Sequence, residues 1–200
     1  QMFPEMQGAS PRSQVLLIII PYPAEKDEEI LHGIPSCAKT NFRQMKWGNG
    51  MDAAIFSCPA DWARLLPPGT RRARRAEELT EHIWPLLALT SEGCHALAQR
   101  RERGGIVCRL QLAPGDIQAL PAQIQAETVI SYGLSPRDSL TLSSLTEPVL
   151  CVQRSLPRPD GTCVDPQEFP LPAIPGPVQT LLPLLGLRLL QMPLTEGRFP

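Results

Sequence analysis

The sequence predicts an α/β domain with a mostly parallel core sheet flanked by helices, an antiparallel hairpin layer and an apolar C-terminal helix. Three observations lead there. Val15-Leu16-Leu17-Ile18-Ile19-Ile20 is a continuous apolar run without alternation, the pattern of a strand covered on both faces in a parallel sheet. Ser139-Leu140-Thr141-Leu142-Ser143 alternates strictly between polar and apolar, as a strand with one wet face does. The chain also carries 23 prolines in 200 residues, roughly twice the ~5% of an average protein. Each removes a backbone donor and disfavours helix at the residue before it, so a bundle of long helices is excluded.

The elements follow in order. Residues 1–13, with Pro4, Gly8 and Pro11, read as a disordered or vector-derived N-terminus. A single domain is expected over residues 14–192, and residues 193–200 form a tail. The run from Val15 stops at Pro21-Tyr22-Pro23, and Glu25 to Leu31 suits a short helix; residues 32–50 are polar and irregular. Asp52 to Ser57 is a second strand, closed by Cys58-Pro59. Arg71 to Arg103 reads as helical, divided into two shorter helices by Pro85 and Gly93. Strands are expected at Ile106–Leu112 and Thr128–Tyr132. Pro148 then opens Val149 to Arg154. Pro159-Asp160-Gly161 makes a turn, since proline presets φ and glycine accepts a positive φ, and Thr162-Cys163-Val164 should return against that strand. Val178 to Gln191 is the final apolar helix, although Pro183 falls inside it.

Composition narrows the function. Hydrophobic residues make up 42% and aromatics only 5%, so a core can form and must consist mainly of Leu, Ile and Val. A formal net charge of −1 gives no global attraction to nucleic acid or anionic membrane. The 16 Arg against 3 Lys fit a GC-rich genome better than a phosphate-binding surface. Six cysteines without a Cys-x-x-Cys pair, and no leader-like segment before them, suit reduced thiols in a cytoplasm. Neither apolar tract suits a membrane anchor: Val15–Ile20 is short, and Val178–Leu194 is broken by Pro183 and Arg188.

The common catalytic signatures are missing. There is no Gly-x-x-x-x-Gly-Lys-Ser/Thr loop to cradle nucleotide phosphates, no Gly-x-Gly-x-x-Gly after a strand, no His-Glu-x-x-His and no Gly-x-Ser-x-Gly. Cys94-His95 could supply a metal ligand or a nucleophile with its base, but neighbours in a helix point to different sides. Arg71, Arg72, Arg74 and Arg75, with Arg100, Arg101 and Arg103, make two basic clusters. Nearby Glu77, Glu78, Glu81 and Glu102 offset them, and no aromatics interleave for base stacking. These are expected to be solvated helix ends, which argues against nucleic-acid binding. No catalytic residue, metal site or cofactor is expected. The candidate ligand-binding residues are Arg137, Asp138, Gln153, Arg154, Gln167 and Glu168, grouped around the expected hairpin. An Arg154–Glu168 ion pair pinning a connection to the sheet is the simpler account of them; a polar pocket at the sheet edge is the sharper one.

Residues 127–190 carry a resemblance. Val129-Ile130-Ser131-Tyr132-Gly133-Leu134-Ser135, the strand pair Ser139–Leu145 and Val149–Arg154, and the helix from Val178 to Leu187 are similar in kind and order to the later half of the central domain of Mur ligases, the peptidoglycan amino-acid-adding enzymes. The string Ser131 to Thr141, Gln153-Arg154 and Pro166-Gln167-Glu168-Phe169-Pro170 resemble more closely an uncharacterised family of short proteins from Firmicutes that look like truncated relatives of those ligases. The resemblance implies an α/β fold and a bacterial cytoplasm. The ligases' phosphate loop and separate C-terminal domain have no counterpart here, and the His-Asn pair that begins their corresponding helix is missing. The resemblance therefore implies a non-catalytic protein that binds a partner or a cell-wall precursor. The alternative is a small-molecule or nucleotide-binding protein, or an enzyme, with its polar site at the sheet edge.

Overall fold

A computed structural model describes residues 53–100, 105–117, 120–172 and 177–194. The expected N-terminus, the strand at Val15–Ile20, the helix at Glu25–Leu31 and residues 32–50 lie outside the described residues, as do residues 195–200.

The chain forms ten strands and three α-helices among these residues. They are β1 (Ala53–Phe56), β2 (Thr70–Ala73), α1 (Glu77–Thr80), β3 (Ile83–Leu89), α2 (Ser91–Ala98), β4 (Ile106–Pro114), β5 (Ile124–Tyr132), β6 (Leu140–Ser144), β7 (Val149–Val152), β8 (Leu156–Pro157), β9 (Cys163–Val164), β10 (Gln167–Pro170) and α3 (Leu182–Gln191). Eight strands make one sheet in the order β10-β7-β6-β5-β4-β3-β1-β2, and β8 and β9 make a separate antiparallel pair. The strands from β2 across to β6 run parallel, whereas β7 is antiparallel to both β6 and β10. The predicted α/β architecture is therefore present, with its antiparallel layer continuous with the main sheet.

Alternation along β1 separates two cores. Ala53 and Ile55 join a cluster containing Trp62, Leu110, Leu112, Ile130, Leu140 and the leucines of α3. Ala54 and Phe56 join another, with Leu79 of α1, Cys94 and Leu97 of α2, Trp84 and Leu89. The sheet is thus covered on both faces around β1 and β3, which explains why these two strands lack a polar side, whereas β5 keeps Gln125 and Glu127 exposed. At ~25 cal/mol per Å2 of apolar surface removed from water, such burial is the main force holding the layers together.

Two expectations need correction. The segment from Arg71 to Arg103 is not a pair of helices: it supplies β2, α1, β3 and α2. Its leucines and alanines are buried within a sheet, and tertiary packing overrides their helical propensity. Pro85 sits in β3 just before Leu86, which pairs with Ala53 at the start of β1. Among the described residues, its missing N–H falls where β3 has a neighbour on one side only, as strand prolines require.

The second correction concerns the hairpin. Cys163–Val164 pairs with Leu156–Pro157, not with Val149–Arg154. The turn at Pro159–Gly161 does form, with Gly161 at φ 88° and the Arg158 amide donating to Thr162 O at 2.9 Å. A tight turn joins residues equidistant from it, so it makes a local hairpin. The strand that returns against β7 is β10.

At the C-terminal end, a 3-10 turn at Val178–Leu181 leads into α3. Pro183 lies in the first turn of α3, where a missing donor leaves no hydrogen bond unmade. Arg158 is buried and ties the local hairpin to the other end of that helix. Its guanidinium donates to Leu190 O at 3.1 Å and to Met192 O, satisfying carbonyls that the helix leaves unpaired.

β5 and β6 are parallel yet joined by only residues 133–139. A parallel crossover ordinarily needs a dozen residues or more. Here the two strands share a single paired position, Tyr132 opposite Leu140. β6 starts where β5 ends, so the chain never has to travel back along the sheet.

Candidate functional site at the carboxyl edge

The order β2-β1-β3-β4-β5 contains a reversal. After β1 the chain enters a short 3-10 helix, Ala60–Arg64, whose Trp62 packs into the cluster under α3. After β3 it enters α2, whose Cys94 and Leu97 pack on the opposite face. The two connections leave in opposite directions and open a crevice beyond the carboxyl ends of β1 and β3, where ligands bind in open α/β sheets.

The crevice is built by backbone constraints. Ser57, immediately after β1, has φ 59° and is the one positive-φ non-glycine residue among those described, a conformation that costs about 1–3 kcal/mol and clusters at functional sites. Its amide donates to Ala73 O at 3.1 Å. Thr90 caps α2: its hydroxyl accepts from the Gly93 amide at 3.0 Å and faces Phe56 O and Ser57 O at 3.3 and 3.1 Å. The start of α2 therefore lies pressed against the end of β1. At Gly93 a Cβ would stand 2.8 Å from Phe56 O, so glycine is what permits this approach.

Two lobes make up the cavity. An outer lobe of about 590 Å3 is lined by Ser57, Cys58, Pro59, Ala60, Arg72, Arg74 and Glu92. The inner lobe, about 210 Å3, shares Pro59 and Glu92 and adds Trp62, Ser91, Tyr132, Gln179 and Thr180 among its walls. Arg72 is held by a 3.1 Å hydrogen bond from Nη1 to Ala60 O. Tyr132 Oη donates to Leu89 O at 2.8 Å, crossing β4 to join the end of β5 to the end of β3.

Burial pushes the Tyr132 phenol up from its ordinary value, reinforced by nearby Cys94 and acidic groups and eased by Ser91. It also pushes the Cys58 thiol up, against the opposing pull of Arg72, its own backbone and Arg74. Cys94, buried beneath the start of α2, is raised to about 12 by burial and Asp116. The raised values keep these groups protonated at neutral pH, so neither Cys58 nor Cys94 offers a ready thiolate. Among the described residues no group of three or more His, Cys, Asp or Glu could hold a metal ion. Cys94 and His95 diverge: the thiol is buried, while exposed His95 turns Nδ1 back to Ser91 O at 2.8 Å.

The sequence-predicted residues lie farther along the sheet. Asp138 is buried at 4% exposure and accepts from the Ser135 amide at 3.1 Å, folding the β5–β6 connection. Arg154 Nη2 donates to Arg137 O at 2.7 Å, so Arg137, Asp138 and Arg154 come together around this loop. Gln153 donates its amide to Ser139 O and its Nε2 to Cys151 Sγ at 3.4 Å. Gln167 reaches Asp165 O, and Glu168 lies opposite Cys151 on the edge strand. The expected Arg154–Glu168 ion pair is not formed. Arg154 lies past the end of β7 and reaches back to the loop, whereas Glu168 is held within the β10–β7 ladder. None of the six lines either lobe.

Arg72, Arg74, Thr90, Ser91 and Glu92 line the crevice from within the segment whose composition reads as helical. Thr90-Ser91-Glu92-Gly93 follows an apolar run and carries a helix-capping threonine, which in a strand reading marks a strand-to-helix switch. The basic clusters divide as well. Arg71 pairs with Glu81, Arg75 with Glu78 and Arg100 with Glu77, leaving Arg72 and Arg74 facing the crevice. A further cavity of about 410 Å3 at the amino edge is walled by five prolines, Leu190, Met192, Asp160 and Gln191; its two polar side chains already accept hydrogen bonds from Thr162 and Thr70.

Comparison with protein families, curated proteins and solved structures finds no match. No helix among the described residues is long and apolar enough to cross a membrane.

Proposed function

We propose that this chain is a non-catalytic binding domain that holds a small polar molecule in the carboxyl-edge crevice. The reversal of chain direction between β1 and β3 carries the reading, because it opens a cleft at the place where α/β sheets bind ligands. The cleft has the needed chemistry: aromatic walls from Trp62 and Tyr132 beside polar Ser91, Gln179 and Thr180. The protonated thiols of Cys58 and Cys94 favour binding over covalent catalysis. The Mur-ligase-like resemblance of residues 127–190 points to a bacterial cytoplasmic protein whose ligand is a cell-wall precursor.

A thermal-shift screen against nucleotides and UDP-linked sugars tests this. A ligand at ~100 times its Kd adds about 2.7 kcal/mol to apparent stability. The shift should disappear in Gln179→Trp, which fills the inner lobe from an exposed position. A shift that survives this substitution puts the ligand elsewhere, and ATP hydrolysis or adenylation by the purified protein overturns the non-catalytic reading.

A further inference from the structure

The crevice is chemically asymmetric. Arg72 near the end of β2 and Arg74 in the bend that follows the strand both line the outer lobe. Arg72 is oriented by Ala60 O, and neither guanidinium has a carboxylate partner among the described residues, unlike Arg71, Arg75, Arg109 and Arg158. Both line the outer lobe, where Cys58 senses their positive charge. Glu92 lies on the boundary shared by the two lobes and has no cationic partner among the described residues. A net charge of −1 for the chain makes this local pair of arginines a feature of the site and not of the whole surface.

Opposite charges lining one cavity, with no ion pair between them, leave room for a ligand that answers both. A guanidinium fork matches phosphate oxygens. A carboxylate accepts from hydroxyl groups, as acidic residues do from ribose hydroxyls in dinucleotide sites. The uncharged polar walls of Ser91, Gln179 and Thr180 continue the hydroxyl-binding side.

We propose that the crevice recognises a phosphorylated sugar, with its phosphate against Arg72 and Arg74 in the outer lobe and its hydroxyls directed to Glu92 and the inner lobe. This rests on the crevice being the binding site and adds the chemical class and orientation of the ligand.

Titration calorimetry with ribose 5-phosphate, ribose and inorganic phosphate tests it. Ribose 5-phosphate should bind most tightly and weaken as salt is raised. Arg74→Ala should weaken it about tenfold, as loss of one charge-assisted hydrogen bond predicts, and Arg74→Glu more. Arg74 is exposed, so both variants should fold, which a thermal melt verifies. Glu92→Gln should weaken ribose 5-phosphate while inorganic phosphate, relieved of the nearby carboxylate, binds at least as tightly as before. Unaltered affinity in Arg74→Glu, or no binding of ribose 5-phosphate at about 10 mM, overturns the assignment. Equal binding of ribose and ribose 5-phosphate, both abolished by Gln179→Trp, overturns the phosphate assignment and leaves the crevice as a site. Loss of every ligand from the crevice overturns both.

Discussion

Tyr132→Phe removes one oxygen from the inner wall of the crevice and tests how the carboxyl edge is held. In the native protein the hydroxyl donates to Leu89 O at 2.8 Å in a buried setting, and Tyr132 is 5% exposed. The ring remains in phenylalanine, so the apolar contacts are retained. The hydrogen bond contributes about 0.5–1.5 kcal/mol net, and a carbonyl left without a donor costs about 1–3 kcal/mol. Tyr132 lines the inner lobe, so water admitted where its hydroxyl was removed can partly replace the donor and the lower half of that range applies: about 1–2 kcal/mol. With a urea m-value of about 2 kcal/mol/M, the midpoint should fall by about 0.5–1 M with m unchanged. Urea titration followed by far-ultraviolet circular dichroism measures this, and ligand affinity measured alongside should fall because Leu89 precedes Thr90. A midpoint within ~0.2 M of wild type refutes the bond as a tie between β5 and β3.

Three other outcomes are expected. Gly186→Ala should destabilise by about 1–2 kcal/mol in a thermal melt, because the new Cβ would lie 2.7 Å from Leu112 Cδ2 and 2.9 Å from Leu140 Cδ2, and overpacking outweighs the ~1 kcal/mol gain in helix propensity; a raised Tm contradicts this. Burial raises the Cys108 thiol to about 12, and burial with Asp116 does the same for Cys94. Above pH 9 the unfolded chain loses these protons and the folded chain keeps them, so stability should fall between about pH 9 and 12 by up to ~1.4 kcal/mol per pH unit per thiol. Cys94→Ala/Cys108→Ala should flatten that fall. Arg158→Met should cost about 2–4 kcal/mol by leaving Leu190 O and Met192 O without their donor, and limited proteolysis should then cut at the end of α3; unchanged resistance contradicts the role.

Local pattern went a long way towards the fold. The alternation of Ser139–Ser143, the strand expected at Ile106–Leu112 and the turn at Pro159–Gly161 each specify a nearby conformation through side-chain period or backbone restriction, and each is present, although Ser139 and Thr141 are buried where the alternation predicts a wet face. Pro85 and the Leu/Ala content around it misled, because a short buried strand and a buried helix share the same composition. That ambiguity concealed β3, and with it the reversal beside β1.

By itself the sequence determined the α/β class and the proline-bounded elements, since these follow from short-range sterics and hydrophobic period. Tertiary structure alone decided that β3 lies between β1 and β4, that β10 and not β9 returns against β7, and that Ser57, Arg72, Arg74, Thr90, Glu92 and Tyr132 share one crevice. Strand order is set by which faces can be buried together, a long-range property that no window of neighbouring residues contains.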